Sequence, residues 1–160
     1  MVDLKGNLPK LAGFLEFFSY AATAVFMVWL SVTDILWYKL PNKIILAWVI
    51  CRTVLIFMLA YAEKSVAVII QSLIGAFVMG FAFFVIYIIS KKALGAGDVK
   101  YAFAMGLSLL LYHAFWAAVC GLVLCGTYAA FRILVNRKRE IRELPLGPFL
   151  FMGSVFVLVL

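Results

Sequence analysis

The sequence predicts an all-α fold, a polytopic transmembrane helical bundle of about six spans forming one domain over residues 1–160. Three observations carry that prediction. First, 68% of the chain is apolar and only 13% is charged, with a mean hydropathy of +1.16. Soluble domains run at roughly 45–50% apolar and about 25% charged. A water-soluble globule is therefore excluded, and so is a disordered chain, which needs low hydrophobicity and high charge. Second, the apolar runs have the length of a bilayer crossing, about 17–25 residues. Third, the basic residues collect between those runs, as they do beside membrane spans.

The first span is expected over about 14–32, with Glu16 as its one internal acid. No basic n-region and small-residue cleavage site frame a short apolar core, so it reads as a span and not a signal peptide. The second and third spans are expected over about 44–61 and 66–89. Residues 101–135 are then apolar apart from His113 and Arg132. At ~1.5 Å per residue this run is far longer than a ~30 Å hydrocarbon core. It therefore divides into spans over about 99–112 and 115–135, with Tyr112-His113 as the turn. A sixth, short span is expected over about 144–160.

Counting Lys and Arg in the connections orients the chain. The connections after spans one, three and five hold Lys39, Lys43, Lys91, Lys92, Lys100, Arg137, Lys138, Arg139 and Arg142. Only Lys5, Lys10 and Lys64 lie on the other side. Nine against three puts the N-terminus outside and the odd-to-even connections in the cytoplasm of a multi-pass cell-membrane protein. The net charge of +7 follows from this distribution and does not point to nucleic acid. Cys51, Cys120 and Cys125 lie in apolar stretches without a Cys-x-x-Cys pair, so they read as packing residues, with no metal site and no disulfide framework.

Of the seven acids, most sit where acids are ordinary: Asp3 in the N-terminal tail, Glu63 in an outer connection, and Glu140 and Glu143 among basic residues. Two differ. Asp34 ends span one, ahead of Leu40-Pro41-Asn42, and Asp98 opens span four in Gly95-Ala96-Gly97-Asp98-Val99-Lys100. Two complete spans separate them, so both carboxylates emerge on one side at similar depth. Taken singly, Asp98 reads as a helix N-cap and Asp34 as an interfacial polar residue. Taken together, they read as a dyad. Two close carboxylates cannot both ionise easily and share a proton. One then serves as general base toward water while its protonated partner donates to a scissile carbonyl. That chemistry needs no metal, nucleophilic serine or cofactor. The only histidine, His113, falls at the opposite face by the same count.

Asp34 with Leu40-Pro41-Asn42, the Gly95–Lys100 motif and the ending Leu144-Pro145-Leu146-Gly147-Pro148-Phe149 together resemble the type IV prepilin peptidases. These are bacterial members of the GxGD intramembrane aspartic proteases. Leu146 stands where that family usually has phenylalanine. The resemblance implies an endopeptidase that removes a short basic leader from prepilin-like membrane proteins (type IV pilins, pseudopilins or Tad-type pilins) at the cytoplasmic membrane face. It implies Asp34 and Asp98 as the catalytic pair, with no cofactor. The family's larger members carry an inserted N-methyltransferase domain with paired Cys-x-x-Cys motifs. Neither fits between spans one and two here, so peptidase without methyltransferase is expected.

Supporting roles are weighed against plainer ones. Gly95 and Gly97 let an extended substrate approach the backbone closely, or only make a loop. Lys100 keeps one carboxylate ionised, or is an interfacial cation, which the positive-inside pattern favours. Pro41-Asn42 starts span two. Arg52, inside span two, is expected to snorkel or pair with Glu16, and Gln71 to bond a neighbouring helix. Arg137-Lys138-Arg139 is expected at anionic lipid. Two other classes fit a small membrane protein with exposed acids. A transporter would place them near the midplane. A non-enzymatic pilus or secretion assembly factor would tolerate asparagine at both positions. Oligomeric state is not written in the sequence.

Overall fold

The computed structural model describes residues 4–90, 94–135 and 145–159, with side chains from Lys10 onward. Among the described residues every regular element is a helix: α1 (Leu4–Trp37), α2 (Asn42–Glu63), α3 (Ala67–Ile89), α4 (Ala96–Val135) and α5 (Gly147–Val159). The expected basic run Arg137–Arg139 and Arg142, with Lys91, Lys92, Asp3, Glu140, Glu143 and Leu144, lies outside the described residues.

Four helices are long and apolar enough to cross a membrane, and the expected count of about six is off. The expected fourth and fifth spans are two helical arms of α4, separated at Leu110, where φ is 60° and ψ 168°. Gly153 of α5 packs against Ala117 and Gly121, beyond the break, while neighbouring Ser154 Oγ lies 3.7 Å from Met105 Sδ, before it. The chain therefore reverses at Leu110, two residues ahead of the expected Tyr112-His113 turn. The arm 96–109 has a length of only ~21 Å at ~1.5 Å per residue, short of a ~30 Å core. The expected sixth span is likewise short, the 13-residue α5.

The ends of these helices follow local chemistry. α1 stops at Tyr38, whose φ of 51° leaves the helical region just after its amide has bonded Asp34 O at 2.9 Å. Pro41, extended at φ −69° and ψ 119°, then launches α2 at Asn42. α2 ends at left-handed Lys64, and Ser65 N–H returns to Ala60 O at 3.1 Å, closing the last turn.

Inside the bundle, packing depends on small residues. Gly75 of α3 and Gly106 of α4 meet backbone to backbone, and a side chain on either would collide with the other's carbonyl. Such crossings let helices approach closely where lipid gives no hydrophobic drive between them. The core gathers Met27 and Leu30 of α1, Trp48 of α2, Phe83 of α3, Tyr101 of α4 and Leu150 of α5. Many of the large apolar side chains outside the core are exposed, among them Phe17 at 74%, Phe81 at 68% and Leu134 at 78%. That surface suits lipid.

Candidate active site

Asp34 lies in the last turn of α1 and is buried. Its Oδ2 accepts a hydrogen bond from Gly147 N–H at 2.8 Å. Gly147 is the first residue of α5, and the opening amides of a helix have no partner within it. Asp34 thus caps α5 from another helix. A side chain at Gly147 would place its Cβ 3.1 Å from the same oxygen. Glycine is needed here for space, since its φ is not positive.

Asp98 is not an N-cap. α4 starts earlier than expected, at Ala96, which makes Gly95 the cap and puts Asp98 in the first turn. From there Asp98 Oδ2 reaches back to accept Gly95 N–H at 3.1 Å, while Asp98 N–H bonds Gly95 O at 3.1 Å. The first of these is one half of a capping box, the N3 side chain on the N-cap amide, while the N3 amide is satisfied by the Gly95 carbonyl because glycine has no side chain to give.

The two carboxylates come together. Asp34 is near enough to act electrostatically on Asp98, and both act on Tyr101 one turn further along α4. The even-span argument put them at one end, and the fold has them there. His113 lies beyond the Leu110 break beside Gln71, at the opposite end of α3 from the aspartates. Gln71 is exposed.

The remaining motif residues brace this pair. Leu40 packs against Gly97 so closely that a Cβ there would lie 2.9 Å from Leu40 Cβ. Gly97 is thus occupied by the α1–α2 connection, whereas Gly95 is exposed. Lys100 Nζ donates to Asn42 Oδ1 at 2.8 Å, tying the start of α4 to the start of α2. The residues of the Leu40-Pro41-Asn42 motif therefore dock onto the Gly95–Lys100 motif, and the C-terminal motif docks onto Asp34.

Beside the site runs a groove of about 700 Å³ between α2, α3 and the first arm of α4. Asn42 and Lys100 stand at its polar end and Leu46, Val49, Phe81 and Phe103 line its length. Arg52 does not snorkel. It is buried, its Nε lies 3.5 Å from Leu107 O, and Nη1 has no hydrogen-bond partner among the described residues. Reading the sequence missed the contact of Gly147 with Asp34 and the placement of Tyr101 near the pair. The Gly147-Pro148 step at a helix entrance was a signal for the first. Tyr101, three residues after Asp98 and so on the same helical face, was a signal for the second.

Two acids converging at one end of an apolar bundle, each held by a backbone amide, can support acid–base chemistry on a membrane-bound chain. No curated protein and no solved structure matches this one. The type IV leader peptidase family does match, over residues 21–130, a stretch that holds both Asp34 and Asp98 and ends before α5. With more than half of its length matched, including both aspartates, the chain belongs to the type IV leader peptidase family.

Proposed function

We propose that this membrane peptidase is an aspartic endopeptidase that removes the leader of prepilin-like substrates at the cytoplasmic membrane face, with Asp34 and Asp98 as its dyad. The observation that carries the reading is their convergence from α1 and α4 at one end of the bundle, each anchored through Oδ2 by a backbone amide. One carboxylate takes a proton from water as the water oxygen attacks the scissile carbonyl, and the other gives a proton to the carbonyl oxygen. The two then exchange roles as the C–N bond breaks and the leaving nitrogen is protonated. A substrate with a water-exposed leader and an apolar helix presents its scissile bond at the interface, the depth at which the dyad lies. Its apolar segment fits beside α4 in the groove lined by Leu46, Val49 and Phe103. The connection between α1 and α2, residues 38–41, leaves no inserted domain there, in keeping with cleavage without methylation. Gly95, Gly97 and Lys100 support the site by shaping the first turn of α4.

Leader cleavage of a co-expressed prepilin tests this, with wild type, Asp34→Asn and Asp98→Asn at matched membrane levels. Wild type is expected to shorten the substrate and both variants to lose more than ~100-fold of the rate, the scale of losing general acid–base catalysis. Cleavage by either variant at the wild-type rate would defeat the two-aspartate mechanism.

A further inference from the structure

We propose that Tyr101 is a third member of the site, its phenol hydroxyl holding the water that Asp34 and Asp98 activate. This rests on the peptidase reading above and adds a residue to it. Tyr101 is completely buried, and its hydroxyl makes no hydrogen bond of good geometry among the described residues, with Ser31 the polar side chain beside it. A buried tyrosine hydroxyl normally finds one, and an orphan calls for an explanation. The ring is held firmly, edge-on to Trp48 with centroids 5.5 Å apart.

Position supplies the explanation. Tyr101 follows Asp98 by one turn of α4, and Ser31 precedes Asp34 by one turn of α1. Asp34 of α1 lies within electrostatic range of Asp98 of α4, and Ser31, one turn before Asp34, lies beside Tyr101. Ser31 Oγ already donates to Met27 O at 2.7 Å, so toward the site it offers only an acceptor. The charged groups facing the phenol are Asp34 from α1 and Asp98 from its own helix. α2 and α5 bring the non-titrating Trp48 and Leu150 to the same core. The phenol is therefore a hydrogen-bond donor within electrostatic range of both carboxylates, with Ser31 Oγ as an acceptor beside it. A water among these groups has the two to four polar partners that a buried water needs. Through the reaction Tyr101 keeps its proton and only donates a hydrogen bond to the water oxygen. The proton lost by water goes to a carboxylate.

Tyr101→Phe separates this role from a structural one. The variant keeps the ring on Trp48 and removes only an orphan hydroxyl, so a packing role predicts unchanged activity and unchanged or higher thermal stability. The proposal predicts a fall in kcat of roughly 100-fold, the scale of losing one preorganised donor, with KM and thermal midpoint held. A wild-type kcat in the variant would overturn it. So would loss of kcat together with thermal stability, or failure to reach wild-type membrane levels, since the hydroxyl would then serve folding.

A second readout does not depend on cleavage, and so tells failure of this proposal from failure of the peptidase reading. The thermal midpoint of purified protein is followed against pH in wild type, Asp98→Asn and Tyr101→Phe. The step that Asp98→Asn abolishes is expected to move to higher pH in Tyr101→Phe. A donor lost from the carboxylates' hydrogen-bond network favours their protonated forms. An unmoved step overturns the proposal even if no substrate is ever cleaved.

Discussion

Gly147 shows how little room the site leaves. Its amide holds Asp34 at 2.8 Å, and an added Cβ would sit 3.1 Å from the same carboxylate oxygen. Asp34 cannot retreat easily, since it is buried in the last turn of a long helix. Alanine at 147 should therefore shift the carboxylate by a few tenths of an ångström while leaving the α5 backbone in place. Helix propensity favours alanine over glycine by up to about 1 kcal/mol, so stability should hold or rise slightly. Misplaced catalytic groups are costly, on the order of 10²-fold for ~1 Å, and a smaller shift should cost about 10-fold. Gly147→Ala is thus expected to lower kcat about tenfold with the thermal midpoint unchanged, measured on purified enzyme. Equal kcat would mean that the Gly147 contact does not position Asp34. Asp34 and Asp98 were legible from residue type and span counting alone. The contact with Gly147 was not, because no local pattern says which distant helix start a carboxylate will cap.

Among the helices, the break at Leu110 has the largest effect on architecture. It ends the arm 96–109 within the bundle, where the last carbonyls of a helix lack partners. Arg52 faces one of them, its Nε 3.5 Å from Leu107 O, with Nη1 unpartnered among the described residues. Desolvating an ion costs several kcal/mol, whereas one hydrogen bond returns about 0.5–1.5 kcal/mol net. The helix dipole adds up to ~2 kcal/mol in a buried setting. The burial cost outweighs these returns, so Arg52→Met, similar in length and apolar, should hold or raise the thermal midpoint by about 2–4 °C. A drop of several degrees would show that the charge is what closes the broken helix. Cleavage should stay at the wild-type level, since Leu107 lies about two and a half turns from Asp98. The sequence marked a reversal somewhere in residues 101–135 because the apolar run was too long for one crossing. It did not mark the residue, because Leu110 carries none of the glycine or proline signals that usually announce a turn. Nor did it show that Arg52 turns inward, which depends on where the arm ends.

For the molecule as a whole, function depends on which side of the membrane the aspartates face. α2 settles the geometry of a test. Its 22 residues from Asn42 to Glu63 span ~33 Å at ~1.5 Å per residue, enough to cross the core. Lys39, just before α2, is exposed at the dyad's end of the bundle, and Glu63 is exposed at the other. Nine basic residues against three favour the dyad's end in the cytoplasm, and replacing one of the nine does not change that balance. In a chain whose three native cysteines are replaced by alanine, Glu63→Cys should react with a membrane-impermeant thiol reagent in intact cells. Lys39→Cys should react only after lysis. The reverse pattern would put Asp34 and Asp98 outside, away from a leader that starts in the cytoplasm, and the proposed reaction would fail on topology alone. The expected pattern brings the polar end of the groove, at Asn42 and Lys100, level with the cytoplasmic interface. An apolar substrate helix could then enter sideways from lipid while its leader stays in water, and the scissile bond would cross the interface beside the two carboxylates.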